Sequence, residues 1–369
     1  MTPHFADLRI ITHGAESAAQ GYDPLLNNPA DPWGRPLNYP RIWQLFYALG
    51  LNSSHTVGLA LGFIASFLMG IILILPNASN RTLWLVTLAL ISPATLLGIE
   101  RGNNDLPVFF VVAVTVCFAQ TSSVLADIGI LLGTVLKVFP IFGASLLLRM
   151  KKQQFVQHGL VILSVTCIYV VANGSDLKLI SQATPRGTQL SYGMNVVWMG
   201  IDQMISHAFA PIARLTCVAL VLLALGIIYL ACTQPFNSDV TPDEVINLDA
   251  FRAGSSIYMG TFLLGNNWDY RLIFLIFVIP QLSTWMTSSS QRTRWLSRIT
   301  LLTMFISMWH LLITKGWNRL TAQLPFPILR SELYPWFLDE MSNWLLFLLL
   351  CYLFALTLPP WFKSYLCKR

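Results

Sequence analysis

The chain has 369 residues, of which 55% are hydrophobic and only 11% are charged, and its formal net charge is +6. An average soluble domain carries about 25% charged residues, so this composition excludes an ordinary soluble globular protein. The cations lie singly or in short clusters beside apolar runs, without a basic arm, which argues against nucleic-acid binding and for a membrane protein.

Ten apolar runs follow one another along the chain. An α-helix needs about 20 apolar residues to cross the hydrocarbon core of a bilayer. We predict full or partial spans at residues 57–75, 83–97, 106–119, 124–148, 155–171, 212–232, 256–264, 272–286, 299–313 and 344–358. These runs predict an all-α fold, a single polytopic transmembrane helical bundle with short broken or re-entrant helices.

Four polar segments between the runs are too long to be simple turns: 1–55, 173–211, 233–252 and 313–343. The first, second and fourth are rich in Trp, Tyr, Pro and Gly, as in "DPWGRPLNYPRIW". Amphipathic aromatic side chains suit the membrane–water interface. We therefore predict long aromatic outer loops that fold onto the membrane surface.

Lys137 lies in the middle of the run 124–148, three residues before Pro140. A lysine at the bilayer centre costs about 2.5–3.5 kcal/mol on insertion scales. If the chain turns back at Lys137–Pro140, the ammonium reaches the outer surface and the loops denser in Lys and Arg lie inside. We expect Pro140 to help end the first half-helix, because residues before proline disfavour the α region. The alternative is a lysine that merely extends to the interface.

Under this topology several polar residues share the outer side of the membrane. Ionisable groups close to helix ends in a membrane are functional candidates by default. The candidates are Asp7, Arg9, Glu16, Asp23, Glu100, Arg101, Asn103, Asn104, Asp105, Lys137, Asp269 and Arg271. The simpler alternatives are a solvated loop position for Asp7, helix ends marked by Arg101 and Arg271, and an N-cap role for Asp105.

This set of residues suits transfer from a lipid-linked phosphate donor. Lys137, with Arg101 or Arg271 as a forked partner, would hold the phosphate. Asp7 or another outer carboxylate would take the proton of an acceptor hydroxyl. Asn103, Asn104 and Asp269 would complete the substrate-binding set. Asp7→Asn is expected to lower transfer by at least about 100-fold with little effect on expression or donor binding.

Cofactor chemistry has little support in the sequence. The six cysteines show neither metal spacing nor a disulfide framework, and no two of the six histidines are spaced as H-x-x-x-H. No nucleotide-binding loop, G-x-S-x-G elbow or H-E-x-x-H motif occurs. We therefore predict neither a metal nor another cofactor.

Two stretches resemble known membrane glycosyltransferases. "FADLRIITHGAESAAQGYDPL" and "LNYPRIW" resemble the first outer loop of the GT-C superfamily. "GIERGNNDLPVFF", followed by "GILLGTVLKVFPIFGASLLLRMKK", resembles glycosyltransferase family 87, and "NWDYRLIFL" is also similar to a segment of these proteins. The family's G-Q-x-N-like turn is "RGNND" here, so only the asparagine carries over, whereas "LKVFP" matches its Lys-x-aromatic-Pro element.

The resemblance implies a GT-C-like bundle at residues 56–369 and an outer catalytic loop at 1–55, with Asp7 matching the acidic residue taken as the base. It implies an inverting hexosyltransferase, mannosyltransferase-like, that uses a polyprenyl-phosphate sugar and a glycolipid or polysaccharide acceptor. The expected setting is the outer face of a bacterial inner membrane, with membrane lipids as further partners. These enzymes usually have a span before the first loop, whereas six residues precede Asp7 here; a shortened chain and an exported N-terminus are the two alternatives.

Two other functions fit parts of the pattern. Broken helices and charges near the membrane are also features of transporters and lipid-carrier flippases. Paired repeats and short loops, which transporters usually have, are not apparent in the sequence. A non-catalytic membrane scaffold is the third alternative.

Overall fold

The computed structural model describes residues 4–234, 242–322 and 331–366, and this part of the chain is predominantly α-helical, as predicted. Its packing divides into two compact units. The first comprises Met1–Pro76 and Leu97–Pro185, and the second comprises Asn77–Leu96 and Arg186–Arg369.

The helices and strands are numbered here in chain order. The α-helices are α1 (Ala6–Ala19), α2 (Leu45–Ala48), α3 (Thr56–Leu73), α4 (Asn80–Leu90), α5 (Pro93–Arg101), α6 (Asp105–Phe118), α7 (Ser123–Leu136), α8 (Lys152–Ala172), α9 (Gly174–Ala183), α10 (Val196–Met204), α11 (Ala210–Cys232), α12 (Pro242–Leu264), α13 (Ile279–Trp285), α14 (Gln291–Thr321), α15 (Leu333–Leu356) and α16 (Pro360–Leu366). The 3-10 helices are Arg41–Gln44, Ser53–His55, Phe139–Arg149, His207–Phe209 and Asp269–Val278. The strands β1 (Ser191–Tyr192) and β2 (Asn267–Trp268) pair antiparallel within the second unit.

Five helical segments of the described residues are long and apolar enough to cross a membrane. They are Ser53–Leu73, Lys152–Ala172, His207–Cys232, Gln291–Thr321 and Leu333–Leu356. The predicted run 83–97 is not straight: α4 and α5 meet at an angle of 56°, and they would make a sixth span if counted together. The bend lies just before Pro93, whose ring cannot continue the preceding helix.

Several predicted boundaries are wrong. The half-length run 256–264 is the end of the longer helix α12, and the run 272–286 is a 3-10 helix followed by α13. The segment 313–343 is helical over much of its length rather than one long loop, because α14 continues to Thr321 and α15 begins at Leu333. Residues 323–330 of that segment, and 235–241 of the segment 233–252, lie outside the described residues.

The first polar segment is folded rather than extended. Leu8 of α1 is fully buried and packs in one cluster with Leu37, which lies beyond the helix. The turn between them is fixed by Asp31, which pairs with the Arg35 guanidinium at 2.9 Å. Arg35 also donates to the carbonyl oxygen of Ala6 at 2.8 Å. These bonds tie the loop back onto the start of α1.

The run 124–148 breaks at Lys137, as predicted. Helix α7 ends at Leu136, Lys137 has extended backbone with φ −163°, and a 3-10 helix follows. Ile130 before the break and Leu147 after it pack in one cluster, so the chain turns back on itself. The expected role of Pro140 is wrong: it lies in the first turn of the second segment, where its missing N–H is tolerated.

Two pairs of glycines have the small-xxx-small spacing that lets helices approach closely, Gly58/Gly62 in α3 and Gly129/Gly133 in α7. A Cβ atom at Gly129 would lie 2.1 Å from the Thr115 hydroxyl oxygen, and one at Gly133 would lie 2.9 Å from the Pro140 Cβ atom. The Gly129/Gly133 stripe therefore brings α7 against both α6 and the returning segment. Gly58, in the other small-xxx-small pair, has no atom within 4 Å of such a Cβ position, so that pair does not mark a contact here.

Candidate functional site

The turn between α5 and α6 positions the predicted residues of the first unit. Gly102 has φ +57°, its N–H donates to the carbonyl of Ile99, and the Asn103 N–H donates to the carbonyl of Gly98. This is the Schellman arrangement that ends helices with a left-handed glycine. The Asn103 side chain then accepts a hydrogen bond from the Asp105 N–H at 2.8 Å. The short motif thus turns the chain sharply and aims consecutive polar side chains at one point.

Gly102→Ala is expected to destabilise the first unit by at least about 1–2 kcal/mol, the usual penalty for a left-handed L-residue. A Cβ atom there would also lie 3.1 Å from the Phe5 Cβ atom at the start of α1. The measurement is thermal unfolding of the purified protein in detergent. Gly58→Ala is the matched control, because its position is open and helical, and it should not lower the melting temperature. Equal melting of Gly102→Ala and wild type would contradict this account of the turn.

Asp7 is the centre of the first ion pair. It lies in the first turn of α1 and is 4% exposed. Arg101 donates to both of its carboxylate oxygens, from Nε to Oδ2 at 3.0 Å and from Nη2 to Oδ1 at 2.6 Å. Asn103 also donates to Oδ2, at 2.6 Å. A forked guanidinium–carboxylate pair of this kind fixes geometry as well as charge. Asp7 is therefore not the freely solvated loop residue of the simpler interpretation.

Lys137 is the centre of the second ion pair. Its ammonium lies 2.5 Å from Asp105 Oδ1, and donates to Asn104 Oδ1 at 2.6 Å and to Asn103 Oδ1 at 3.3 Å. It also lies 5.2 Å from the centre of the Tyr39 ring. Lys137 is only 8% exposed, so it is not a lysine that merely extends to an interface. Asp105 is not the N-cap either, since Asn104 occupies that position and Asp105 pairs with Lys137.

Asn103 joins the two ion pairs. Its amide nitrogen donates to Asp7, while its amide oxygen accepts from Lys137. The two cations and two carboxylates of the cluster are balanced in formal charge. One donor is left over: Asn104 Nδ2 is buried and has no acceptor among the described residues. Six of the candidate residues therefore converge: Asp7, Arg101, Asn103, Asn104, Asp105 and Lys137.

The reserve carboxylates of the first segment lie elsewhere. Glu16 is half-buried near the end of α1. Asp23 accepts from Arg41 at 2.9 Å, and the same guanidinium binds Asp176 of α9 at 2.6 Å. The hydrogen bond from Arg41 holds the pKa of Asp23 below its usual range. Asp23 is thus engaged in a network that ties the loop to α9.

Asp269 and Arg271 belong to the second unit. The Asp269 N–H donates to the carbonyl of Leu190 at 2.9 Å, and its Oδ1 atom accepts no hydrogen bond from the described residues. Burial raises the pKa of Asp269 to about 8. The Arg271 guanidinium donates to the side-chain oxygen of Asn267 on β2. Their part in substrate binding stays a prediction.

Sequence reasoning missed a second set of acidic residues in this unit. Asp339 and Glu340 lie in α15 and are each 2% exposed. His310 of α14 has its Nε2 atom 3.9 Å from Asp339 Oδ2. The signal was present in "WFLDEMSNWLLFLLL", where two adjacent acids lie three residues before the apolar run 344–358.

The chain matches no protein-family model, no curated protein and no solved structure. The resemblance to membrane glycosyltransferases therefore stays a prediction. No group of three or more His, Cys, Asp or Glu side chains within residues 4–234, 242–322 and 331–366 is arranged to hold a metal ion.

Proposed function

We propose that this chain is a multi-pass membrane hexosyltransferase. It would move a mannose-like hexose from a polyprenyl-phosphate carrier to a hydroxyl of a glycolipid or polysaccharide at the outer face of a bacterial inner membrane. The observation that carries the proposal is the convergence of Asp7, Arg101, Asn103, Asn104 and Lys137 in the first unit. Helices long enough to cross a membrane support the setting.

The cations of the cluster suit a phosphate leaving group. As the bond between the anomeric carbon and the phosphate oxygen breaks, the electron pair stays on the phosphate and its charge increases. Arg101 offers a fork and Lys137 a compact ammonium for that charge. The Asn104 Nδ2 donor is buried without an acceptor among the described residues, which costs about 1–3 kcal/mol. A phosphate oxygen would satisfy it.

Asp7 is the proposed base. A carboxylate has about four lone-pair sites, and three at Asp7 accept hydrogen bonds from Arg101 and Asn103. The remaining site on Oδ1 would accept the proton of the acceptor hydroxyl. The hydroxyl oxygen then forms the new bond to the anomeric carbon on the face opposite the phosphate, so the configuration inverts.

The balanced charge of the cluster sets a condition on donor binding. An anionic phosphate cannot simply join two complete ion pairs, because it would add unpaired negative charge to a buried site. For the phosphate to bind, either Lys137 must loosen its contact with Asp105, or Arg101 must loosen its contact with Asp7. The contact with Asp105 is the better candidate, because the pair between Asp7 and Arg101 is forked and includes a further bond from Asn103, and because Lys137 is a compact ammonium that can turn towards a phosphate oxygen.

The direct experiment is a transfer assay with the full chain in proteoliposomes. Radiolabelled polyprenyl-phosphate mannose is supplied with a lipid and polysaccharide extract, and a new labelled glycoside is the expected product. Gly58→Ala serves as an active reference and heat-treated protein as the blank. Several other polyprenyl-phosphate hexoses, tested in parallel, identify the sugar. No transfer with any donor would overturn the proposal.

A transporter or flippase is the second candidate, and the buried acids Asp269, Asp339 and Glu340 favour it. Chains of Asp, Glu and His inside membranes mark proton relays in pumps and transporters. The same assay separates the two functions. A flippase would carry the labelled lipid across the bilayer without forming a new glycosidic bond.

A further inference from the structure

Three carboxyl groups of the second unit interact with one another while buried away from water. Asp269 is 4% exposed, and Asp339 and Glu340 are each 2% exposed. The three interact electrostatically, since the charges of Asp269 and Glu340 act on Asp339, and that of Asp269 acts on Glu340. They come from two elements, the 3-10 helix Asp269–Val278 and α15. The cluster therefore depends on tertiary packing, not on neighbouring sequence alone.

Glu340 supplies a second, independent observation. Neither of its carboxylate oxygens has a hydrogen-bond partner among the described residues, and both are buried. Asp269 Oδ1 is in the same situation. Asp339 differs, because Asn343 donates to its Oδ1 at 3.1 Å. A buried carboxylate without donors is strongly disfavoured, so such a group takes up a proton or a ligand instead.

The titratable groups around the cluster come from four other elements. They are Tyr192 of β1, Cys217 of α11, Tyr258 of α12 and His310 of α14. Only His310 among these carries positive charge when protonated, and its Nε2 atom lies 3.9 Å from Asp339 Oδ2. The Tyr258 hydroxyl donates its hydrogen bond to the carbonyl of Asn343 at 3.0 Å and not to a carboxylate of the cluster.

His310 gives the cluster a way to exchange protons. Its Nε2 atom lies 3.3 Å from the hydroxyl oxygen of Thr314, one turn further along α14. Thr314 is half-buried, whereas His310 is 7% exposed. The row Glu340, Asp339, His310 and Thr314 thus leads from fully buried carboxyls to a partly exposed hydroxyl. Each member can hold or pass a proton.

We propose that Asp269, Asp339 and Glu340 form a proton-binding site whose protons exchange through His310. A proton needs no cavity and only one or two oxygen atoms, which fits side chains this deeply buried. The raised pKa of Asp269, caused by its burial, agrees with a bound proton near neutral pH. The proposal is independent of hexose transfer: it would stand for a transferase, a transporter or a scaffold.

The test uses dicyclohexylcarbodiimide, an apolar reagent that adds to protonated carboxyl groups in membranes. The full chain in phosphatidylcholine vesicles is treated between about pH 5 and pH 9, and adducts are located by mass spectrometry. We expect labelling at Glu340 or Asp339 that falls about tenfold for each pH unit above its midpoint, as the protonated fraction does. Wild-type protein alone gives this result, so it does not depend on a variant that folds.

Three variants and one ion sharpen the test. Glu340→Gln should abolish labelling at position 340, whereas Glu332→Gln, at an exposed position just before the same helix, should leave the pattern unchanged. His310→Gln should slow the response of the carboxyl infrared band to a pH jump without changing its end point. Absent labelling in folded protein that labels once denatured would overturn the proposal, and so would labelling independent of pH. Protection by sodium at fixed pH would assign the site to an alkali cation instead.

Discussion

Replacing Asp7 with asparagine is expected to lower hexose transfer by at least about 100-fold, because general-base assistance is worth about 10²–10⁴-fold. The same change is also expected to lower stability, contrary to the expectation from sequence. Three donors from Arg101 and Asn103 point at the carboxylate. An amide NH₂ group placed there would face one of them, and an unsatisfied buried donor costs about 1–3 kcal/mol. The measurements are initial transfer rates and melting temperatures of the same preparations.

The two effects of Asp7→Asn are separated by Arg101→Gln, which breaks the same ion pair from the other side. Loss of the base should lower kcat, whereas loss of the phosphate contact should raise KM for the donor. Identical kinetic changes in both variants would mean that Asp7 only positions Arg101. Normal turnover in Asp7→Asn, together with loss of activity in Glu16→Gln or Asp23→Asn, would mean that Glu16 or Asp23 is the base instead. Normal turnover in all three would defeat this mechanism.

Most residues of the site in the first unit could be predicted from the sequence, because a turn and a helix break are encoded by residues that are adjacent in the chain. A glycine between an arginine and two asparagines predicts a turn, and the turn necessarily places these side chains together. A lysine and a proline inside an apolar run predict a break, and the break lies at Lys137. What the sequence does not give is the pairing. An N-cap role was the simpler alternative for Asp105, yet Asp105 pairs with Lys137, a contact across 32 positions that only tertiary packing decides.

The second unit was harder to predict for a different physical reason. A run of apolar residues indicates where lipid or core contacts lie, but it does not give helix ends. Helix α15 begins at Leu333, well before the predicted start at residue 344, so Asp339 and Glu340 were assigned to a loop. In a loop these two carboxylates would be solvated, as surface acids usually are. Inside a helix they are buried and close to Asp269, which changes what they can do.

Because Lys137 and Asp105 form an ion pair, we expect substitutions at these two positions to change KM for the donor in opposite directions. Asp105→Asn is expected to lower KM for the polyprenyl-phosphate donor, because it frees an ammonium now held at 2.5 Å by a carboxylate. Lys137→Met is expected to raise KM by about tenfold to a hundredfold, the equivalent of a charge-assisted hydrogen bond of roughly 1.5–3 kcal/mol. Both values come from transfer rates at subsaturating donor.

The double variant Lys137→Met/Asp105→Asn then separates donor binding from folding. Lys137→Met alone removes the cation nearest to a fully buried carboxylate, and breaking such a pair is worth about 3 kcal/mol or more of stability. Removing the Asp105 charge as well should restore the melting temperature, while KM stays high because no ammonium remains for the phosphate. Lys178→Met, at an exposed position on α9 of the same unit, is the matched control and should change neither quantity. Recovery of both stability and KM in the double variant would reduce Lys137 to a counter-ion of Asp105, and the phosphate would then have to be held by Arg101 and the asparagine amides alone.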